Sequence, residues 1–316
     1  MKDSFGRDIT YLRLSVTELC NLRCRYCMPA EGVPKRRHED MLTEEEMILA
    51  VTAAAKLGVT KVRLTGGEPL VKKNILSLAE KTAAVPGVRE LCLTTNGVLL
   101  PALAKPLRTA GVKRVNISLD TLNADKYARI TRVGDLGAAL RGLDAALDAG
   151  FERVKINAVL IGGFNDDEIP ALADLSRRYP VDVRFIELMP MGVGDFDKDA
   201  FIPGDVVLER LPELVKEELD GAVASLYRLP DAQGQVGIIR PLSHRFCDRC
   251  DRIRLTADGR IKPCLHQGLE YPIKGLDRDG MKAQFEAAIL HKPPCRGEMS
   301  CDTPSHANRP MHRIGG

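Results

Sequence analysis

Residues 11–29 read YLRLSVTELCNLRCRYCMP. The first six alternate, with Leu12, Leu14 and Val16 on one face and Tyr11, Arg13 and Ser15 on the other, which is the period of a strand. The strand runs into a stretch holding Cys20, Cys24 and Cys27 as Cys-x3-Cys-x2-Cys. Thiolates hold iron–sulfur clusters, normally four to a four-iron cluster, so three would leave one iron open to a substrate. The plainer reading is a zinc knuckle with its fourth ligand elsewhere. Zinc ligands come more often as Cys-x2-Cys pairs, however, and His38, the nearest histidine, reads as a loop residue.

Downstream, strand-like runs recur at Lys61–Leu64, Leu91–Thr95, Val115–Leu119, Val154–Leu160 and Val183–Leu188. Helical patterns separate them at Thr43–Leu57, Ile75–Ala84, Leu99–Ala110, Leu136–Ala149 and Asp167–Tyr179. Thr43 with a Glu three residues on is a capping box, and Gly58, Gly111 and Gly150 stand where helices should stop. Six such repeats predict parallel strands in an α/β fold, a partial (βα)6 TIM-like barrel rather than a closed one of eight strands. Most of these strands alternate. Val62 and Leu64 oppose Arg63 and Thr65, Leu91 and Leu93 oppose Cys92 and Thr94, and Val154 and Ile156 oppose Lys155 and Asn157. Asn116, Ser118 and Asp120 likewise oppose Val115, Ile117 and Leu119. The sixth strand does not alternate clearly and leaves Arg184 and Glu187 without a face. Helices on the apolar side would turn the polar side inward, where a closed barrel is filled with branched apolar residues. A basic interior suggests a large anionic ligand; internal salt bridges at strand ends are the bland alternative.

After Gly192 the pattern changes. Gly194–Gly204 reads as a loop, Val206–Leu219 as a charged helix, and the stretch after His291 as an irregular tail. The division falls at residues 1–194 and 195–316, the second part being a smaller α+β domain closing the open side. The chain has 316 residues, 44% apolar and 28% charged, with a net charge of +3. Those values suit a folded protein, and no stretch suits a bilayer span or a secretory signal, so the cytoplasm is expected. Aromatics at 4% and no Trp disfavour nucleic acid as a partner.

Cysteines number nine, and six fall in two triplets. The second is Cys247-x2-Cys250-x13-Cys264, in CDRCDRIRLTADGRIKPC. A pair, a third Cys and nearby His266 would complete a zinc site, and three thiolates would equally suit iron–sulfur; spacing alone leaves both open. Arg252 and Arg254 follow the pair directly, flanking Ile253. Guanidinium forks suit phosphate or base recognition, although an isolated Arg-x-Arg is more commonly a solvated hairpin.

The first triplet, with aromatic Tyr26 before its third Cys, resembles the signature of radical S-adenosylmethionine (SAM) enzymes. Gly66-Gly67-Glu68-Pro69 after the second strand resembles their glycine-rich, SAM-contacting element. Both triplets, with Thr94-Thr95-Asn96-Gly97, Asn116 to Asp120, the Arg184–Met189 run and terminal Gly315-Gly316, resemble the GTP 3′,8-cyclase family over nearly the whole chain.

That resemblance implies a radical SAM barrel and two 4Fe-4S clusters, one on Cys20, Cys24 and Cys27 and one on Cys247, Cys250 and Cys264. Tyr26, Gly67, Ser118 and Met189 match SAM-contacting positions; Arg13, Arg63, Thr94, Lys155, Arg252, Ile253 and Arg254 match GTP-contacting ones. Gly315 and Gly316, by default a frayed end, would reach the active site and matter for catalysis. The implied reaction is the first step of molybdenum-cofactor biosynthesis. A radical made from SAM takes hydrogen from the ribose 3′ carbon of GTP; the carbon radical then attacks carbon 8 of guanine, and a further reduction gives 3′,8-cyclo-7,8-dihydro-GTP. An electron donor, a homodimer and a functional link to cyclic pyranopterin monophosphate synthase are implied as well. Cys295 and Cys301 lie outside the pattern and read as surface thiols, the alternative being a fourth thiolate that would close the open iron of the second cluster; Cys92 reads as strand packing. The rivals are a radical SAM peptide-modifying enzyme with an auxiliary cluster and a zinc-stabilised RNA-binding module.

Overall fold

The computed structural model describes residues 1–191, 198–218, 223–300, 303 and 305–315. Gly316 and Cys301 therefore lie outside the described residues. The first part runs β1 (Tyr11–Ser15), α1 (Glu44–Lys56), β2 (Lys61–Thr65), α2 (Ile75–Ala83), β3 (Glu90–Thr95) and α3 (Leu100–Thr109). It continues with β4 (Val112–Ser118), α4 (Ala124–Thr131), α5 (Leu136–Asp148), β5 (Arg153–Leu160), α6 (Ile169–Arg178) and β6 (Val181–Glu187). All six strands pair in parallel and in chain order, the open (βα) barrel expected. Thr43 caps α1 as read: its hydroxyl accepts from Glu46 N at 3.2 Å, and Glu46 Oε2 accepts from Thr43 N at 2.9 Å. Gly58, Gly111 and Gly150 follow their helices with φ of 96°, 95° and 69°, left-handed values that glycine adopts without a Cβ clash.

The later residues do not stand apart from this sheet. They form α7 (Val206–Arg210), β7 (Val215–Lys216), β8 (Ser225–Arg228), β9 (Val236–Ile239), β10 (Arg252–Leu255), β11 (Arg260–Lys262), β12 (Tyr271–Pro272), α8 (Arg278–Leu290) and α9 (Met311–Ile314). The order is β12-β11-β10-β1-β2-β3-β4-β5-β6-β9-β8-β7. β10 adds in parallel to β1 and β9 in parallel to β6. The parallel run thus gains two strands that the first part cannot supply, and an antiparallel hairpin finishes each edge.

Two expectations fail here. The helix Val206–Leu219 stops at Arg210, and its last residue lies outside the described segments. Pro212 disfavours helical backbone before it; Leu211 takes φ −134° and ψ 67°, and β7 follows. The tail after His291 is not wholly irregular, because α9 closes it with one helical turn. Of the expected loop Gly194–Gly204, residues 194–197 lie outside the described residues, and the rest is irregular apart from a short 3-10 turn at Lys198–Ala200.

The apolar strand faces form the core. Leu12, Leu14, Val62, Leu64, Leu93, Val115, Ile156, Val183 and Phe185 are fully buried in one cluster with the helices. Burying such side chains contributes about 1.5–3 kcal/mol each. Their alternates are thereby committed to the opposite, concave face, which is where the site lies.

Candidate active site

The two cysteine triplets approach from opposite ends of the strands. Cys20, Cys24 and Cys27 follow the C-terminal end of β1. Cys247 and Cys250 precede the start of β10, and Cys264 follows β11, which runs antiparallel to β10. Since β10 is parallel to β1, the second triplet sits at the N-terminal end. Both open into one cavity of about 500 Å³.

Strand register arranges the wall between them in rows. The lowest holds Arg252, Tyr11 and Lys61 side by side across β10, β1 and β2, and the next holds Arg254, Arg13 and Arg63. Further round, Thr94, Asn116, Lys155 and Asp182 share a row across β3 to β6. Tyr26, Gly67, Ser118 and Met189 line the same cavity, as do Arg13, Arg63, Thr94, Lys155, Arg252 and Arg254. Ile253 does not: it is 1% exposed in the core, because alternation turns it away from its two arginine neighbours. Gly315 is buried nearby, its carbonyl oxygen accepting from Arg254 Nη1 at 2.6 Å.

Tyr11, Lys61 and Arg184 also line the cavity; alternation had placed Tyr11 on the inward face without making it a site residue, and the other two were missed. Lys61 stands one step of alternation before Arg63, as Tyr11 does before Arg13, so extending the period would have found it. Arg184 was hidden because β6 breaks the alternation. Ile186 joins it on the cavity face, and Glu187, fully buried on the other, accepts from Gly204 N and Leu242 N at 2.8 Å and Ser243 N at 3.0 Å.

The wall is a set of cations pressed together. Burial, then Arg13 and Arg252, push Arg254 down to about 9. Burial and Arg184 lower Lys155 to about 8 although Asp182 Oδ2, 2.9 Å away, opposes the fall. Lys155 therefore partly follows the salt-bridge alternative, whereas Arg63 donates to Leu93 O at 2.7 Å and Thr94 Oγ1 at 3.3 Å. Cations that repel one another in a buried wall suit a multiply charged anion.

At the first triplet, burial raises Cys20 to about 11 and, with the charge of Cys20 added, Cys27 to about 12. Cys24 rises too, from burial and then the charges of Cys27, Asp120 and Cys20. Three thiols that oppose one another's ionisation need a cationic centre to become ligands, and iron supplies one. Burial, then Cys264 and Cys250, raise Cys247 against a hydrogen bond from Arg296 N to its sulfur. Among the described residues no three His, Cys, Asp or Glu side chains form a single-ion site. A four-iron cube does not ask for one, since each thiolate takes a different iron. His266, the fourth ligand of the zinc alternative, instead lies 3.1 Å by Nδ1 from Ser305 Oγ.

Around the first triplet Glu68, Tyr26 and Asp120 are hydrogen-bonded, while the buried Tyr127 hydroxyl has no partner. Glu68 accepts from Thr95 Oγ1 and Asn96 N at 2.7 Å and from Leu70 N at 3.0 Å, while burial lifts it to about 7. Gly67 must be glycine, because a Cβ would run into the carbonyls of Leu19 and Glu18. Tyr26 donates to Asp120 Oδ2 at 2.8 Å, and Asp120 Oδ1 accepts from Val159 N at 2.8 Å.

An open parallel barrel with a three-cysteine loop after its first strand defines a radical SAM protein. The Radical SAM superfamily profile matches residues 14–176, and that for Molybdenum Cofactor Synthesis C matches residues 181–296. The structure resembles that of SuiB from Streptococcus suis bound to S-adenosylmethionine, with a TM-score of 0.60 at 15% identity over 82% of this chain and 61% of that one. A GTP 3′,8-cyclase of Alkaliphilus oremlandii is 46% identical over 100% of both chains. One of Moorella thermoacetica is likewise 46% identical over 100% of both. The chain belongs to the GTP 3′,8-cyclase family, and it is a radical SAM enzyme. No helix among the described residues is long and apolar enough to cross a membrane.

Proposed function

We propose that the chain converts GTP to 3′,8-cyclo-7,8-dihydro-GTP. The observation that carries this is the single cavity that both cysteine triplets enter, with a cationic wall between them. Cys20, Cys24 and Cys27 would hold one 4Fe-4S cluster and Cys247, Cys250 and Cys264 another. When bound, the first cluster and SAM supply the one-electron chemistry that makes a hydrogen-abstracting radical.

The protein's part is placement. Tyr26, Gly67, Ser118 and Met189 hold SAM beside the first triplet. Arg13, Arg63, Thr94, Lys155, Arg252 and Arg254, with Lys61 and Arg184 added by the structure, hold the nucleotide; Ile253 contributes backbone alone. The fixed cations hold the triphosphate so that the nucleoside spans the gap between the triplets, and the enclosing wall keeps water from the radical. Residues 195–316 serve as the auxiliary-cluster and substrate-closing part, and the Gly315-Gly316 pair serves catalysis. An external electron donor, a homodimer, a cytoplasmic setting and consumption of the product by cyclic pyranopterin monophosphate synthase accompany this reading.

The test is anaerobic incubation of cluster-reconstituted protein with SAM, a reductant and GTP, with ATP as control, followed by mass spectrometry. Deoxyadenosine with a cyclised product from GTP alone is the expected result. Deoxyadenosine with unaltered GTP would overturn the substrate and turn attention to peptides.

A further inference from the structure

The segment after α8 carries a cation that none of the roles above uses. Lys292 is 3% exposed and lines the cavity. Its Nζ donates to Arg252 O and to Pro263 O, both at 2.7 Å. These are neutral acceptors, and burying an ammonium against carbonyls alone is costly unless negative charge lies close by. Their positions say where that charge belongs. Arg252 is two residues past Cys250 and Pro263 is one before Cys264, so the ammonium spans the two halves of the second triplet. It ties them across the thirteen intervening residues, beyond the end of the β10–β11 ladder.

Neighbouring residues extend the brace. Arg7 Nη1 donates to Cys247 O at 2.7 Å and Nη2 to Pro293 O at 2.6 Å, tying the first thiol's backbone to the residue after Lys292. Arg7 is balanced by Asp3, 2.6 Å away; Lys292 has no such carboxylate among the described ion pairs. Arg296 Nη2 donates to Leu242 O at 3.2 Å, and its backbone N–H reaches the Cys247 sulfur.

We propose that Lys292 is the positioning residue of the second iron–sulfur site: it sets the spacing of Cys250 and Cys264, and its charge compensates the thiolate-bound cluster. This rests on the reading of Cys247, Cys250 and Cys264 as cluster ligands. A fixed cation beside a cluster favours its reduced, more negative state and so raises the reduction potential, as do hydrogen bonds around the sulfurs.

The experiment uses the full chain with Cys20, Cys24 and Cys27 replaced by Ala, so that only the second cluster is loaded. Iron retention under a chelator and the midpoint potential by EPR-monitored titration are then measured for Lys292, Lys292→Met and Lys292→Arg. Lys292→Met should lose iron at least about tenfold faster and show a more negative potential. Lys292→Arg keeps the charge and should hold the potential close to that of the parent. A merely structural tie would lower the melting temperature of Lys292→Met without moving the potential, and that result overturns the proposal. So does a parental potential and iron retention in Lys292→Met. If Lys292→Met fails to fold, Lys292→Gln and Lys292→Arg carry the same comparison, and equal potentials there overturn it. A parent that takes up no iron would instead refute the cluster assignment itself.

Discussion

Arg254 donates a hydrogen bond to the carbonyl oxygen of Gly315 at 2.6 Å, tying the C-terminal segment to β10, the strand between Cys250 and Cys264 of the second cysteine triplet. Other ties bring the tail there. Arg309 forks onto Glu270 at 2.7 and 2.8 Å and reaches Asp258 at 2.7 Å, and His312 Nδ1 lies 3.0 Å from Cys27 O. One short segment therefore touches the backbone of the first triplet and the arginine pair of the second. A frayed end makes no such contacts.

Gly315 has no room for a side chain. Its φ is 91°, and a Cβ would meet Thr65 Oγ1 at 2.5 Å and Ser15 Cβ at 2.9 Å. Left-handed backbone costs an L-residue roughly 1–2 kcal/mol even where space exists, so Gly315→Ala should cut cyclised product about tenfold or more. Deleting Gly315 and Gly316 should abolish it. Melting temperature and iron content should stay at parental values in both; unchanged product formation would return the tail to a passive role.

Arg63→Ala tests the cationic wall. Arg63 is 4% exposed, donates to Leu93 O, Thr94 Oγ1 and the Tyr11 hydroxyl, and lies in register with Arg13. Losing one desolvated cation from an anion site costs about 2 kcal/mol or more, so KM for GTP should rise at least about thirtyfold. SAM affinity and the iron content of both triplets should not change. Normal GTP turnover in Arg63→Ala would remove the wall from the substrate site.

Much of this was legible because the first five strands obey a single rule. Apolar residues face the helices, and whatever alternates with them faces the cavity, so Arg13, Arg63, Thr94 and Lys155 could be placed inside from period alone. The rule failed at β6, where Ile186 faces the cavity and Glu187 serves loop amides on the other side. α4 was missed because it is short and mostly polar, burying only Tyr127, Ile130 and Thr131, and is recognisable chiefly by Asn123, whose side chain accepts from Lys126 N. The β9 and β10 additions were illegible for another reason. Each is four residues long, and parallel pairing with β6 and β1 depends on partners more than fifty residues away.

The depressed Lys155 gives GTP binding a pH dependence with a definite sign. Burial and Arg184 bring it to about 8, so it is charged below that pH and neutral above it. A bound triphosphate favours the charged form, and binding above pH 8 must therefore take up a proton. GTP affinity should fall as pH rises from 7 to 9, while Lys155→Arg, which stays charged, should flatten that part of the curve. Calorimetry in two buffers of different ionisation enthalpy measures the proton directly. Equal pH profiles for Lys155 and Lys155→Arg would show that this ammonium does not meet the phosphate.

The two triplets should also separate functionally, because they enter the cavity from opposite strand ends and share no ligand. Cys24→Ala removes a thiol of the first site, so iron content should fall by about half, with loss of deoxyadenosine formation. Cys250→Ala should lose the other half of the iron and the cyclised product, yet still cleave SAM when reduced. Iron and sulfide assays with EPR of each variant distinguish the outcomes. If Cys250→Ala also stops cleaving SAM while the signal of the first cluster persists, the second triplet acts on SAM chemistry. The division of labour along the strands would then be wrong.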